Sequence, residues 1–332
     1  MLIPPKYFLT PQISTFLQSI EASRAVINTI TIPQEVEINI RRQSTLKSSL
    51  FSARIEGNTL NLHDLPRVSP QDEKKIEIFN IVKALNSLFA KEVKTITSAD
   101  IFVLHKQLLT GLPSIDQPGN FRKEVSAIFN MAGIAVYMPP PPSEISSLIE
   151  KLLVYINSQE ETIHPIKAVL AHYSFEKIHP FLDGNGRVGR LLIQMVLAKE
   201  GYAMKGLLNI EEFLDMHRAD YYDCLQAPAR DVTDYVEFML EALAGAAEKA
   251  KEKVKAGEKP TVEDSLLPRR AEILNIIRDH EMVNFDMLRR RFMAVNERML
   301  RYDLKKLQDK GFIRKLGATK GAYYTPTSTK EE

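Results

Sequence analysis

Hydrophobic positions along the chain recur mostly at helical spacing, with two clear interruptions. Residues 1–70 carry helical patterns broken by prolines. Two more helical patterns fill 72–110, with Thr97 or Ser98 placed to cap the second. The character changes over 111–143. "GLPSIDQPGN" is rich in turn residues, "FRKEVSAIFNMAGIAVYM" is β-prone with Gly133 near its centre, and four prolines follow. That predicts a β-hairpin closed off by a proline stop. Helical spacing resumes at 144. Val169, His172, Tyr173 and Glu176 share it, as do Ala168, Ala171 and Phe175. Leu191, Leu192, Met195 and Val196 mark the next helix, which Gly201 ends. The second interruption, "GAAEKAKEKVKAGEKP" at 245–260, is small and charged and reads as a solvated helix end plus linker. Beyond it, Ile273, Ile276 and Ile277 mark one helix and "NFDMLRRRF" a second. "NERMLRYDLKKLQDKG" gives a third, with Asn296 as N-cap and Leu300, Leu304 and Leu307 as its buried stripe. "FIRKLGATKGAYYTP" predicts a two-stranded wing turning at Gly317 to Gly321. The expected organisation is a mainly α protein: a helical region at 1–70, a core at 71–245, a linker at 246–260 and a small unit at 261–332.

Composition changes this picture little. With 332 residues the chain has room for two or three domains, and 44% hydrophobic and 26% charged residues are ordinary for a globular protein. The single cysteine, Cys224, excludes an internal disulfide framework and fits a reducing compartment. "MLIPPKYFLT" lacks the layout of a signal peptide, and no apolar run reaches membrane-spanning length. A cytoplasmic protein with no membrane partner is expected. Net charge is +2, so bulk electrostatics names no partner, but its distribution is uneven: residues 260–332 carry 15 Lys+Arg against 11 Asp+Glu.

The chemistry concentrates in "HPFLDGNGRVGR", residues 179–190. Gly184-Asn185-Gly186-Arg187-Val188-Gly189 spells G-x-G-x-x-G, yet a dinucleotide site needs a strand just before the glycines, and "HPIKAVLAHYSFEKIHPF" is helical. The better reading is helix, loop, helix. Gly184 and Gly186 let backbone approach a ligand at a helix N-terminus, where free N–H groups favour an anion. Arg187 and Arg190 share a face of the first turn and can grip phosphates. Asp183 is a hard oxygen ligand suited to Mg²⁺ beside those phosphates. His179 can accept a proton near neutral pH. These parts fit phosphoryl or nucleotidyl transfer.

"HPFLDGNGRVGR" resembles the signature of the Fic family at every specified position. "AVLAHYSFEKIHPF" is similar to the helix preceding that signature, and "PGNFRKEV" with "YMPPPP" to the family's target-docking flap. The resemblance implies a Fic-type helical core with a β-hairpin flap, transferring AMP from ATP to a Ser, Thr or Tyr hydroxyl of a target protein. It implies that His179 takes the hydroxyl proton, Asp183 holds Mg²⁺, and Asn185 with the Gly184 and Gly186 backbone cradles the phosphates. Arg187 and Arg190 would contact the outer phosphates, and Phe181 would anchor the loop. Another nucleotide donor, or removal of AMP, remains open on the motif alone, as does the target.

"SARIEGN", Ser52 to Asn58, ends a helical pattern, with Gly57 as a C-cap candidate. Ser-x-x-x-Glu-Gly-Asn resembles the inhibitory motif that some Fic proteins carry. The resemblance implies that Glu56, supported by Ser52, Gly57 and Asn58, pairs with Arg190 and restrains the enzyme. The last unit resembles a winged helix. Arg298, Arg301, Tyr302 and Lys305 lie away from the leucine stripe, where they could meet double-stranded DNA. The alternative function is therefore a DNA-binding regulator whose Fic core is a nucleotide-responsive or toxin-like control element. A homodimer is left open.

Overall fold

The computed structural model describes residues 2–65, 67–90, 92–113, 117–129, 135–226, 231–258, 266, 268–293, 295–317 and 322–327, in two compact units. The first unit comprises Met1–Thr31 and Ile40–Ala256, the second Ile32–Asn39 and Gly257–Glu332.

The first unit is built from α1 (Pro11–Thr29), all but the first residues of α2 (Gln34–Ile55), α3 (Glu73–Phe89), α4 (Ser98–Leu108), the strands β1 (Ile128–Phe129) and β2 (Ala135–Tyr137), α5 (Pro142–Asn157), α6 (His164–Ile178), α7 (Asn185–Lys199), α8 (Glu211–Met216), α9 (Arg218–Gln226) and all but the last residues of α10 (Thr233–Glu258). Local chemistry sets several boundaries. Thr97 and Asp100 form a reciprocal capping box at α4, and Gly201, in a left-handed conformation, follows the end of α7. Helix α6 is buried on nearly every side, with Ile166, Ala168, Val169, Ala171, Phe175 and Ile178 all without exposure. A helix buried all round needs no polar face. Its alanines let α7 approach closely, and Leu192, Ile193 and Val196 of α7 are equally buried.

The expected hairpin exists: β1 and β2 pair antiparallel, Ile128 opposite Tyr137. Gly133, expected at its centre, lies outside the described residues, as do 259–260 of the expected linker. The rest of that linker is different from the expectation. Helix α10 runs unbroken to Glu258, and Ala246, Ala247, Ala250 and Val254 are buried along it. Small residues in "GAAEKAKEKVK" provide a narrow packing stripe, with Glu248, Lys249 and Glu252 exposed to water and Lys251 and Lys253 half-buried beside it. In the region 1–70, α1 and most of α2 cluster with the core.

The second unit contains α11 (Pro268–His280), β3 (Val283–Asn284), α12 (Phe285–Arg291), α13 (Glu297–Asp309), β4 (Ile313–Leu316) and β5 (Tyr323–Pro326). Asn296 caps α13, and Leu300, Leu304 and Leu307 are buried with Ile273, Ile277 and Leu288. β4 and β5 form the expected strand pair; Gly321, at its expected turn, lies outside the described residues. The short β3 was not expected and pairs with β5, giving the order β3-β5-β4. Two residues are too few for a sequence pattern to reveal. Asp303, fully buried, is held by Arg269 and Arg270 at the start of α11.

Candidate functional site

The loop between α6 and α7 is shaped by its own residues. His179 ends α6 in a left-handed conformation (φ 49°, ψ 61°), which is uncommon for a residue with a Cβ. Its N–H donates to Phe175 O, and its carbonyl accepts from Arg122 Nε at 2.8 Å. The Arg122 guanidinium also donates to Glu124 O and Pro140 O, so this buried arginine ties the end of α6 to the segment entering the hairpin and to the proline stop. Phe181 is fully buried and stacks on His105, ring centroids 3.7 Å apart. His105 Nδ1 accepts from Gly119 N, and its Nε2 lies 3.1 Å from Asp183 O. Asn185 turns back on the loop: Phe181 N donates to its Oδ1 and its Nδ2 donates to Phe181 O. Both ends of that amide are thereby occupied. Asn185 shapes the loop; Gly184 N donates to Asp183 Oδ1 at 2.6 Å, and the main chain of Asn185 and Gly186 opens α7, where a helix N-terminus favours an anion.

The arginines expected to meet phosphates are both paired. Arg187 Nη1 contacts Glu77 Oε1 of α3 at 2.7 Å, and its Nη2 contacts Asp183 Oδ1 at 2.8 Å. Arg190, buried, donates from Nε to Ser52 Oγ and from Nη2 to both Ser52 O and Glu56 Oε1, the last at 2.8 Å. Burial works against the Arg190 cation, but Glu56 and the neighbouring tyrosines outweigh it and hold its pKa above the ordinary arginine value.

"SARIEGN" has a complete local account. Gly57 N donates to Arg54 O and Asn58 N to Ala53 O, the two bonds of a Schellman end, and Gly57 takes φ +99°. Glu56 sits at the cap, its carboxylate over Gly186, where an added Cβ would come within 2.3 Å of Oε1. Asn58 Nδ2 donates to Lys74 O and to Glu77 Oε2, so the same motif also touches the carboxylate that holds Arg187. Upstream, Ser44 and Ser48 hold the same face of α2 to the core, through Leu207 O and Glu211 Oε2.

A cavity of about 680 Å³ opens beside these groups, lined by Glu56, His179, Gly186 and Arg190 from the two motifs, by Ile128 and Tyr137 from the hairpin, and by Tyr222, Asp223 and Gln226 from α9. Tyr137 Oη donates to Lys177 O, fixing β2 against the end of α6. Burial pushes the His179 pKa down to about 4, so the ring is neutral at pH 7. Asp183 keeps a carboxylate that is 51% exposed on the same loop. A hard, solvent-reached oxygen of this kind fits Mg²⁺, which takes one or two carboxylates and completes its shell with phosphates and water.

Sequence reasoning brought together His179, Asp183, Arg190, Ser52 and Glu56. It gave no site role to Glu77 and His105, which lie on α3 and α4, nor to Arg122 and Glu176, which it met only as members of "PGNFRKEV" and of the α6 pattern. Arg298, Arg301, Tyr302 and Lys305 are all exposed on α13, with Arg301 over the Phe285 ring at 3.8 Å and 3.5 Å from Glu297.

Residues 95–197 match the model of the Fic/DOC family. The chain thus carries a Fic/DOC family domain, centred on α4 to α7. It is 28% identical over 239 residues to the protein adenylyltransferase Fic of Drosophila willistoni, covering 68% of this chain and 45% of that protein. To the Aedes aegypti protein of the same name it is 30% identical over 214 residues, 60% of this chain and 40% of that one. The chain therefore spans less than half the length of the curated relatives it matches. Among solved structures, a Fic family protein from Desulfovibrio desulfuricans superposes over 99% of both chains, with a TM-score of 0.63 at 23% identity. Fic-1 of C. elegans covers 74% of this chain and 73% of its own at a TM-score of 0.58 and 22% identity. Both likenesses concern the fold. Among the described residues no helix is long and apolar enough to cross a membrane.

Proposed function

We propose that this protein transfers AMP from ATP to a hydroxyl of a target protein, and that Glu56 restrains it. The observation that carries the reading is one cavity lined by His179, Gly186, Arg190 and Glu56 together. The target hydroxyl gives its proton to the neutral His179 ring, its oxygen bonds to the α-phosphorus, and the bond to pyrophosphate breaks. The hairpin edge beside the cavity supports docking of target backbone by strand addition. Asp183 would hold Mg²⁺, which supplies charge neutralisation on the phosphates. Arg187, released from Glu77, and Arg190, released from Glu56, would meet the outer phosphates. While Glu56 occupies Arg190 it both uses up that partner and repels the phosphate.

The names of the relatives, protein adenylyltransferases, support this reading. They lend none to the alternative of a DNA-binding regulator. We read the helix–strand–helix–helix–strand–strand order of the second unit as a winged helix. Duplex DNA, a homodimer and a cytoplasmic setting belong to the proposal. The deciding experiment incubates wild type, Glu56→Gly and Glu56→Gly/His179→Ala with labelled ATP, UTP, GTP and CTP. Label on protein from ATP, increased by the first change and abolished by adding the second, is the expected result. No label from any nucleotide with a folded Glu56→Gly protein overturns it.

A further inference from the structure

The two glycines of the Gly186-Arg187-Val188-Gly189 run serve two carboxylates. A Cβ on Gly186 would lie 2.3 Å from Glu56 Oε1, and a Cβ on Gly189 would lie 2.2 Å from Glu176 Oε1. Three residues apart on α7, the glycines present one face, and the two carboxyl groups rest there side by side. Both line the cavity that holds His179 and Arg190. Their circumstances differ. Glu56 is matched by the Arg190 guanidinium at 2.8 Å. Glu176 Oε1 is buried and, among the described residues, has no hydrogen-bond partner within the protein.

The groups facing Glu176 do not supply a positive charge at bonding distance. From its own helix, His172 Nε2 is 3.6 Å away, too far for a hydrogen bond. His172 is neutral, pushed down to about 3 by burial, and its ring nitrogens already meet the Tyr235 hydroxyl of α10 and the Tyr221 hydroxyl of α9. Tyr222 of α9 and Lys177 line the same cavity; burial raises the Tyr222 pKa and lowers that of Lys177. Burial, with Glu56 of α2 adding to it and Arg190 of α7 opposing it, pushes Glu176 up to about 8. An acid in that position keeps its proton at neutral pH and is a hydrogen-bond donor.

We propose that Glu176 is a nucleotide-positioning residue, a neutral carboxylic acid that donates its hydrogen bond to the polyphosphate taking the place of Glu56 at Arg190. The proposal rests on the assignment of this cavity as the nucleotide site. An ionised Glu176 would repel that polyphosphate, as Glu56 does; the neutral acid binds it. The arriving phosphates replace one negative neighbour with another and so keep the proton in place. ATP then binds the protonated protein, and its affinity is fully present below the Glu176 pKa and falls as pH rises through it.

The test uses the full chain carrying Glu56→Gly, with saturating Mg²⁺, and measures dissociation constants for ATP and for adenosine by calorimetry from pH 7 to pH 9.5. The expected result is an ATP dissociation constant that climbs toward tenfold per pH unit on the alkaline side, while that of adenosine stays flat. Adding Glu176→Gln, which keeps a donor and cannot ionise, should remove that climb and leave ATP affinity at pH 7 within about threefold of the parent. Should the glutamine variant not fold, Glu176→Ala should also lack the climb but bind ATP roughly tenfold more weakly at pH 7. A climb that persists in the folded variant, whichever is used, or a parent with no climb, overturns the proposal, as does unchanged affinity in Glu176→Ala. A folded Glu56→Gly parent that binds no ATP at any pH overturns the nucleotide site itself and this inference with it.

Discussion

Glu56 and Arg190 meet at 2.8 Å with Arg190 almost wholly buried and the Glu56 side chain 30% exposed. A charge-assisted bond open to water on one side is worth less than a sealed one, so Glu56→Gly should raise self-modification or target modification by roughly tenfold. Arg190→Ala should not reproduce the gain, because it removes the phosphate's partner together with the restraint. The double variant should behave like Arg190→Ala, and a gel assay with labelled ATP reads all three. His179→Ala in the Glu56→Gly background should abolish transfer and leave ATP affinity within about threefold, since in the proposed reaction that ring acts on the target's proton and not on the phosphates. Calorimetry beside the transfer assay separates the two effects.

Helix α2 delivers Glu56 through its ending. Gly57 holds φ +99°, a backbone conformation that costs a residue with a Cβ about 1–2 kcal/mol. Gly57→Ala meets no neighbour within 4 Å, so strain is its whole effect. It should lower the melting temperature by about 2–4 °C and raise AMP transfer, because the chain relieves the strain by moving the cap and the carboxylate with it. Melting by circular dichroism beside the transfer assay checks both; a stable, unactivated Gly57→Ala protein counts against the motif acting through its turn. For α13, exposed Arg298 and Lys305 predict that the full chain binds duplex DNA with affinity falling steeply as salt rises, and that Arg298→Ala/Lys305→Ala flattens the salt dependence. A fluorescence anisotropy titration that shows no binding at low salt would leave this unit without a nucleic-acid role.

The whole molecule carries a set of buried ionisable groups whose signs oppose one another. His172 and His179, pushed by burial to about 3 and about 4 from 6.5, contribute stability that is present above pH 6.5 and lost as pH falls toward those values. Glu176 and Glu211, pushed by burial to about 8 and about 7 from 4.5, contribute stability present below pH 4.5 and lost as pH rises through 7 and 8. Of these four groups, the two carboxyl groups are the ones that still change between 6.5 and 8. The melting temperature should therefore fall from pH 6.5 to pH 8, and Glu211→Gln should flatten that fall by keeping the Ser48 contact without an ionisable group. Thermal unfolding across that window decides it.

What could be read along the chain was whatever depends on neighbours within a few residues. Helical spacing marked α6, α7 and α13; Thr97 and Asn296 announced their caps; "HPFLDGNGRVGR" and "SARIEGN" kept His179, Asp183, Arg190, Ser52 and Glu56 in recognisable order because each motif is one turn and the helix end beside it. Local pattern misjudged 246–258, since alanines between charges look the same on a solvated helix and on a narrow buried stripe, and only the neighbouring surface tells them apart. Tertiary structure alone decided that Glu77 holds Arg187 and that Arg122 ties the end of α6 to the hairpin. It also decided that Gly189 is glycine because Glu176, from another helix, occupies the space of its Cβ. A burial-driven pKa, an ion pair across helices and a steric vacancy are properties of distances between segments, and a one-dimensional pattern carries no such distances.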